Sequence, residues 1–315
     1  MEKKPLIILA GPTAVGKTKL SIALAKEIHG EIISADSMQV YKHMDIGTAK
    51  IKQEEMQGVV HHLIDILEPF EDFNVVLFAS YAKKAMEECW NKGKIPILVG
   101  GTGFYIQAVL YDIDFTKNDE DKSYRNWLEQ LAKEKGAEYL HGLLQKVDEK
   151  AANEIHPNNI KRVIRALEFY EKSGQKISAH NEEQKKKESP YAYAYFVLNE
   201  EREVLYDRIN CRVDKMVEDG LVEEVKHLLE AGIPKTAVSM QGLGYKEIAS
   251  FLTGEYTYEE AIYYLKRDTR HFAKRQLTWF KRESDVIWLN RPDFNQKEEL
   301  ILQEMLQIIK EKLEQ

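Results

Sequence analysis

Gly11-Pro12-Thr13-Ala14-Val15-Gly16-Lys17-Thr18 has the spacing G-x-x-x-x-G-K-[ST], and those residue types suit the grip of a di- or triphosphate. Glycines at its two ends let the backbone turn successive N–H groups toward an anion. Lys17 adds a positive charge, and the Thr18 hydroxyl suits a magnesium ion. Such a loop must stand between a strand and a helix. Leu6 to Ala10 is an apolar run without alternation, the pattern of a strand covered on both faces. Lys19 to His29 then sets Leu20, Ala23, Leu24 and Ile28 at helical spacing, and a helix start adds partial positive charge.

Three further residues have types that could act on a bound phosphate ester. Glu31 to Ala35 reads as a second strand that delivers Asp36 at its carboxyl end, where ligands gather in open α/β sheets. Asp36 is either a helix cap or a catalytic carboxylate. Ile95 to Val99 reads as another buried strand, running into Gly100-Gly101-Thr102-Gly103-Phe104-Tyr105. P-loop ATPases close such a strand with a metal-holding acid. Here glycines and Thr102 stand in its place, which counts against ATP hydrolysis; the segment is either a tight turn or a place where a ligand meets the backbone. Arg208 and Arg212 lie four apart on a helix from Arg202 to Glu218, and Arg212 either reaches phosphate or pairs with a neighbouring acid. The adjacent His61 and His62 point to different faces and make a poor metal pair.

The 315 residues, 43% hydrophobic and 31% charged, suit a globular, soluble chain. Lys+Arg 45 against Asp+Glu 52 gives a net charge of −7, so any nucleic-acid surface must be a local patch. One candidate patch is the helix from Tyr258 to Arg282. Its core face carries Ala261, Ile262, Leu265, Phe272, Ala273 and Phe280. Its remaining surface carries Lys266, Arg267, Arg270, Lys274, Lys281 and Arg282 among Tyr263, Tyr264, His271 and Trp279. That surface is either merely solvated or a polyanion track with aromatics for base stacking.

Other elements fill in the frame. Phe73 to Lys92 is an amphipathic helix, Leu63 to Leu67 a strand or strand end, and Ala192 to Leu198 and Val286 to Leu289 are strands. Lys297 to Leu313 is a terminal helix. Between Asp112 and Pro190 only charged helices appear: Tyr124 to Lys135, Ala137 to Val147 and Asn158 to Ser173. The expectation is a parallel α/β core domain of residues 1–113 and 191–315, with an all-helical insertion at 114–190. Arg162 and Arg165 share a helical face there, and Lys185 to Lys187 read as a solvated run. The two cysteines, Cys89 and Cys211, suit reduced core residues of a cytoplasmic protein. The apolar run after the basic start is too short for a signal peptide, and no stretch approaches a membrane span.

The chain resembles the bacterial tRNA dimethylallyltransferase (tRNA isopentenyltransferase) family from end to end. GPTAVGKT, ADSMQVYKHMDIGTAK, HHLID, LVGGTGFYIQA, HPNNIKRVIRALE, QGLGYKEI and KRQLTWFKR match its segments in order and spacing. The resemblance implies a P-loop nucleotide-kinase-like parallel sheet flanked by helices, with a helical insertion. It implies transfer of a dimethylallyl group from its diphosphate to the exocyclic amine of the adenosine 3′ of the anticodon, with Mg2+ as cofactor and tRNA as partner, by a monomer. Gly11, Pro12, Thr13, Ala14, Val15, Gly16, Lys17 and Thr18 would then hold diphosphate, with Thr18 toward the metal and Arg212 helping the leaving group. Asp36 would be the general base, and Thr102 would position the reacting groups. By motif position, tRNA contacts would come from Asp36, Ser37, Met38, Gln39, Thr102, Lys161, Arg162, Val163, Ile164 and Arg165. Gln241, Gly242, Leu243, Gly244, Tyr245, Lys246, Lys274, Arg275, Gln276, Trp279 and Arg282 complete the set, with Arg125 a further candidate. A nucleoside or nucleotide kinase, or a nucleotide-switched RNA-binding module without chemistry, are the competing readings of the phosphate loop.

Overall fold

Leu6, Ile7, Ile8 and Leu9 are wholly buried, which is why the chain's first apolar run becomes a central strand rather than an edge. Each such side chain stabilises the fold by roughly 1.5–3 kcal/mol through removal from water. In this computed structural model, which describes residues 3–114 and 123–313, six strands form one parallel sheet in the order β3-β2-β4-β1-β5-β6. They are β1 (Pro5–Ala10), β2 (Gly30–Ala35), β3 (His61–His62), β4 (Ile95–Gly100), β5 (Ala192–Asn199) and β6 (Val286–Asn290). Helices of the same unit are α1 (Lys17–Glu27), α2 (Val75–Asn91) and α3 (Gly103–Leu110), followed after the insertion by α9 (Arg202–Glu218), α10 (Leu221–Glu230), α11 (Tyr245–Leu252), α12 (Tyr258–Phe280) and α13 (Glu298–Leu313). Local chemistry sets their starts. Asn74 accepts from the Val76 and Leu77 amides to cap α2, and Thr257 with Glu260 forms a reciprocal capping box on α12.

The chain divides into two compact units, residues 1–110 with 190–315 and residues 111–189. The second holds α4 (Ser123–Lys135), α5 (Ala137–Val147), α6 (Glu149–Glu154), α7 (Ile160–Ser173) and α8 (Ile177–Lys185), around a core that includes Leu128, Leu140, Leu144 and Val163.

Several expectations are corrected. No strand runs from Leu63 to Leu67. Leu63 and Asp65 take φ of 63° and 55°, which breaks extended pairing, and only His61 and His62 pair with β2. Leu67 makes an isolated bridge with Tyr41. The sequence reading passed over α6, α8 and α10; the first two are short, and α10 follows α9 after a single turn. Cys89 is buried, but Cys211 is exposed on the polar side of α9. Among the described residues no helix is long and apolar enough to cross a membrane.

Asp148 explains how so charged an insertion holds two short helices. It is 1% exposed, caps α6 through the Ala151 amide, and accepts from the amide and hydroxyl of Ser178 on α8 at 2.9 and 2.7 Å. Burial pushes its carboxyl up, but the Ser178 and Ala151 bonds prevail and hold it below its ordinary value. Asp148→Ala is expected to cost about 2–4 kcal/mol, combining a lost cap with unsatisfied buried donors, read as faster amide exchange across 148–185. Because the folded carboxyl is the stronger acid, this stabilisation is complete above about pH 4 and fades on acidification. Asp148→Asn should remove that acid dependence.

Candidate active site

The register of the sheet brings the carboxyl ends of β2, β4 and β1 side by side: Ala35 lies opposite Gly100, and Gly100 opposite Ala10. Asp36, Thr102 and the phosphate loop therefore leave the sheet at one level. Gly11 has φ of 145°, and a side chain there would meet the Leu198 carbonyl at 2.5 Å. A side chain on Gly101 would lie 2.1 Å from Gln276 Nε2. Gly11 is therefore required by close approach of backbone, and a side chain at Gly101 would displace Gln276.

Within the loop, Lys17 Nζ donates to the Gly11 and Pro12 carbonyls at 2.9 and 2.8 Å. Its ammonium is enclosed, and burial, followed by repulsion from Arg212, lowers its pKa to about 7; Asp36 opposes this. The residue as a whole is half-buried. Arg212 is exposed as a whole residue, but its charge reaches Lys17, and desolvation lowers its own pKa. Arginine is basic enough to stay charged regardless. Thr18 is exposed on the first turn of α1.

Asp36 caps a turn rather than a helix, since no helix follows it before α2. Its Oδ1 accepts from the Met38 and Gln39 amides at 2.8 and 3.3 Å, as a cap does. Burial nevertheless raises its pKa against those bonds and against Lys17, as a general base requires. Tyr105 stands close enough for its charge to be felt by Asp36; burial, then Tyr41 and Asp36, hold its phenol protonated.

The residues expected to meet tRNA fall into two groups. Lys274, Arg275, Trp279 and Arg282 line a cavity of about 500 Å3 with His271 and Thr278, and the three cations make no ion pair among the described residues. Lys161 and Arg162 are exposed on α7, Ser37 and Met38 are half-buried, and Gly242 packs on Met38, joining the 36–39 turn to the 241–246 turn. The other group serves the protein's own interior. Val163 and Ile164 are buried in the insertion's core, and Arg125 is bound to the buried Glu168 at 2.7 Å. Tyr245 is fully buried and donates to Glu224 at 2.6 Å, and Gln39 uses its amide on Ser34 and the Thr48 carbonyl. Gln276 is buried against Thr13 and Gly101. Lys246 pairs with Glu247 at 3.2 Å. On the first half of α12, Lys266 pairs with Asp214, Arg267 with Asp268, and Arg270 donates to Asn210, so among the described residues the cations without an ion pair lie toward the helix's last turns.

Two residues escaped the sequence reading. Glu224 accepts from the Asp45, Ile46 and Gly47 amides at 2.9, 2.8 and 3.1 Å, clamping the loop after Asp36 onto α10. Arg291 is 6% exposed and reaches the Val15 carbonyl behind the phosphate loop. The apolar spacing of Leu221, Val225 and Leu228 could have revealed α10, but nothing in sequence singles out Glu224 or Arg291. Glu31, His62 and Cys89 also cluster at the amino end of the sheet, closed by a 2.7 Å His62–Glu31 bond and by Lys92. That cluster is a satisfied ion-pair network away from the site.

Comparison with known proteins follows the geometry. The IPP transferase family profile matches residues 39–283, and the isopentenyl transferase profile matches residues 4–67. The chain is 64% identical over 309 residues to the tRNA dimethylallyltransferase of Lachnoclostridium phytofermentans, covering 98% of each. It is 55% identical over 285 residues to that of Carboxydothermus hydrogenoformans, covering 90% of this chain and 91% of the other. Among solved structures it matches the tRNA isopentenylpyrophosphate transferase of Bacillus halodurans with TM-score 0.74 and 47% identity, covering 99% of this chain and 98% of that one. It also matches a eukaryotic dimethylallyltransferase acting on tRNA with TM-score 0.81 and 33% identity, covering 93% of this chain and 75% of that one. With a phosphate loop, a raised carboxylate and a glycine-threonine turn on three neighbouring strand ends, and relatives matching nearly its whole length, the chain belongs to the tRNA dimethylallyltransferase family.

Proposed function

We infer that this chain transfers a dimethylallyl group from dimethylallyl diphosphate to the exocyclic amine of the adenosine 3′ of the anticodon in tRNA, releasing diphosphate. The observation that carries the reading is the placement of Asp36 and Thr102 on the two successive strand ends to one side of the phosphate loop, with no acid closing β4. The loop then stabilises a departing diphosphate instead of passing a phosphoryl group. Breaking the carbon–oxygen bond leaves its electron pair on diphosphate, so charge must be met there by loop amides, Lys17 and Arg212. The adenine amine forms the new carbon–nitrogen bond and gives its proton to Asp36. Oδ1 of Asp36 is tethered by two amides, which leaves Oδ2 to accept it. The base must be turned out of its stack to reach this edge of the sheet.

Magnesium fits the donor set: Thr18 offers an exposed hard oxygen at the start of α1, and diphosphate oxygens would complete the shell. When bound, the ion would neutralise part of the leaving group's charge. Thr102 positions the amine or the diphosphate. Exposed Lys161 and Arg162, with Lys274, Arg275 and Arg282, supply phosphate contacts to tRNA. Since every strand end of the site comes from one chain, a monomer suffices, and one buried and one exposed thiol suit the cytoplasm.

Incubation with labelled dimethylallyl diphosphate and unmodified tRNA should place label on an adenosine and release diphosphate. Consumption of nucleoside triphosphates without such transfer would favour a kinase and sink the reading. Asp36→Asn keeps the acceptor for Met38 but not the base; turnover should drop by about 10²–10⁴-fold while tRNA still binds. The Lys17 amine is largely neutral above about pH 7 in the free loop, and an anion requires the ammonium. Diphosphate binding therefore takes up a proton and should weaken above pH 7 by up to roughly tenfold per pH unit. Lys17→Arg, titrated in parallel, should lack that component.

A further inference from the structure

Gln276 lies between Arg275 and Leu277 on the basic stretch of α12, yet its side chain faces none of the RNA surface. It is 6% exposed, and its amide joins two functional segments. Oε1 accepts from the Thr13 amide at 2.9 Å, and Nε2 donates to the Gly101 carbonyl at 3.0 Å. The polarity matches both partners, so no other residue of that size could replace both bonds. The Thr13 N–H is committed to this bond, which leaves the anion cradle to the later amides of the loop. One turn away on the same helix, Trp279 presses on the backbone of the 100–103 turn, where a side chain at Gly103 would lie 2.1 Å from its ring.

Consequently the loop that would hold the donor, the turn that carries Thr102, and the helix that would hold the acceptor are tied at one buried amide. Alkyl transfer needs the reacting carbon and nitrogen within about 3–3.5 Å, and their two carriers must not drift independently. Resting on the transferase reading, we propose that Gln276 is a positioning residue that locks the diphosphate loop and the Thr102 turn to the RNA-binding face of α12, so that tRNA and diphosphate each tighten the binding of the other. Linkage makes that effect reciprocal, and occupancy of the cavity lined by Lys274, Arg275 and Arg282 is its RNA end.

The test is a binding cycle on the full-length protein. Inorganic diphosphate is titrated with magnesium, with and without saturating unmodified anticodon stem-loop RNA, for the parent, Gln276→Met and Gln276→Glu. Gln276→Glu keeps volume and the acceptor for Thr13 but sets an oxygen against the Gly101 carbonyl. The parent should show about tenfold tighter diphosphate binding with RNA present. Both variants should lose that linkage, with kcat down about 10–100-fold and RNA affinity and its salt slope within twofold; melting falls because buried partners go unmet, but both remain folded at the assay temperature. Absence of linkage in the parent, or its survival in Gln276→Glu, would overturn the proposal. So would a variant that loses RNA affinity while keeping kcat at saturation, since that marks a direct RNA contact. A parent inert toward dimethylallyl diphosphate would instead strike at the transferase reading, which these titrations do not need.

Discussion

Three strands ending without side chains in the way is the constraint on which the site depends. β2, β4 and β1 stop in register, and a side chain on Gly100 would come within 2.3 Å of the Ala35 carbonyl. Only then can Asp36, Thr102 and the phosphate loop converge. The same absence of bulk at Gly101 admits Gln276 from α12, so one local economy of atoms serves both the reacting groups and the helix behind them. Rigidity comes from elsewhere: Glu224 holds the loop after Asp36 by three backbone amides, and Arg291 stands behind Val15. Groups on a parallel sheet are placed by backbone hydrogen bonds, which tolerate far less play than side-chain packing.

The site's electrostatics follow from enclosure. Burial drives the Lys17 ammonium and the Asp36 carboxylate toward neutrality together, and the Arg212 charge pushes Lys17 further the same way. On the proposed function, the free loop is a frustrated cluster that an anion would relieve. A bound diphosphate would restore the charge on Lys17, while its own negative charge would raise Asp36 further. One binding event would thus strengthen the proposed leaving-group clamp and the proposed base at once. The neutral phenol of Tyr105 nearby adds no competing charge.

Much of this was legible in the sequence, and the reasons differ by feature. The phosphate loop, the strand ends and the long helices are written in contiguous patterns, since their spacing is imposed by backbone geometry. Asp36 could be singled out because it follows a buried strand. The roles of Tyr245, Gln39, Gln276 and Arg125 were not legible, because each is decided by a partner far along the chain: Glu224, Ser34, Thr13 and Glu168. A motif reports that a position matters but not which side of the backbone its side chain serves. Val163 and Ile164 show this within one segment, where exposed Lys161 and Arg162 precede core residues at helical period. The Leu63 to Leu67 expectation failed for a related reason, since left-handed residues interrupt an apolar stretch that reads as extended.

The division of charge along α12 supports the proposed route by which an acidic chain would bind RNA. Its early cations are met by Asp214 and Asp268 from within the fold, and Arg267 also lies over the Tyr264 ring at 4.6 Å. Those charges are already compensated, and a phosphate would have to compete with a carboxylate for them. Among the described residues Lys274, Arg275 and Arg282 have no such carboxylate partner, so on the proposed function their field would be free to attract a backbone. Neutralising few phosphates gives a shallow salt dependence, since each released counterion contributes to the slope. Specificity must then rest on what happens beside those cations, where Gln276 passes from the charged helix into the loop that would grip diphosphate. On the proposed function, a helix pinned through its first half by its own ion pairs would present the cations of its last turns from a fixed base.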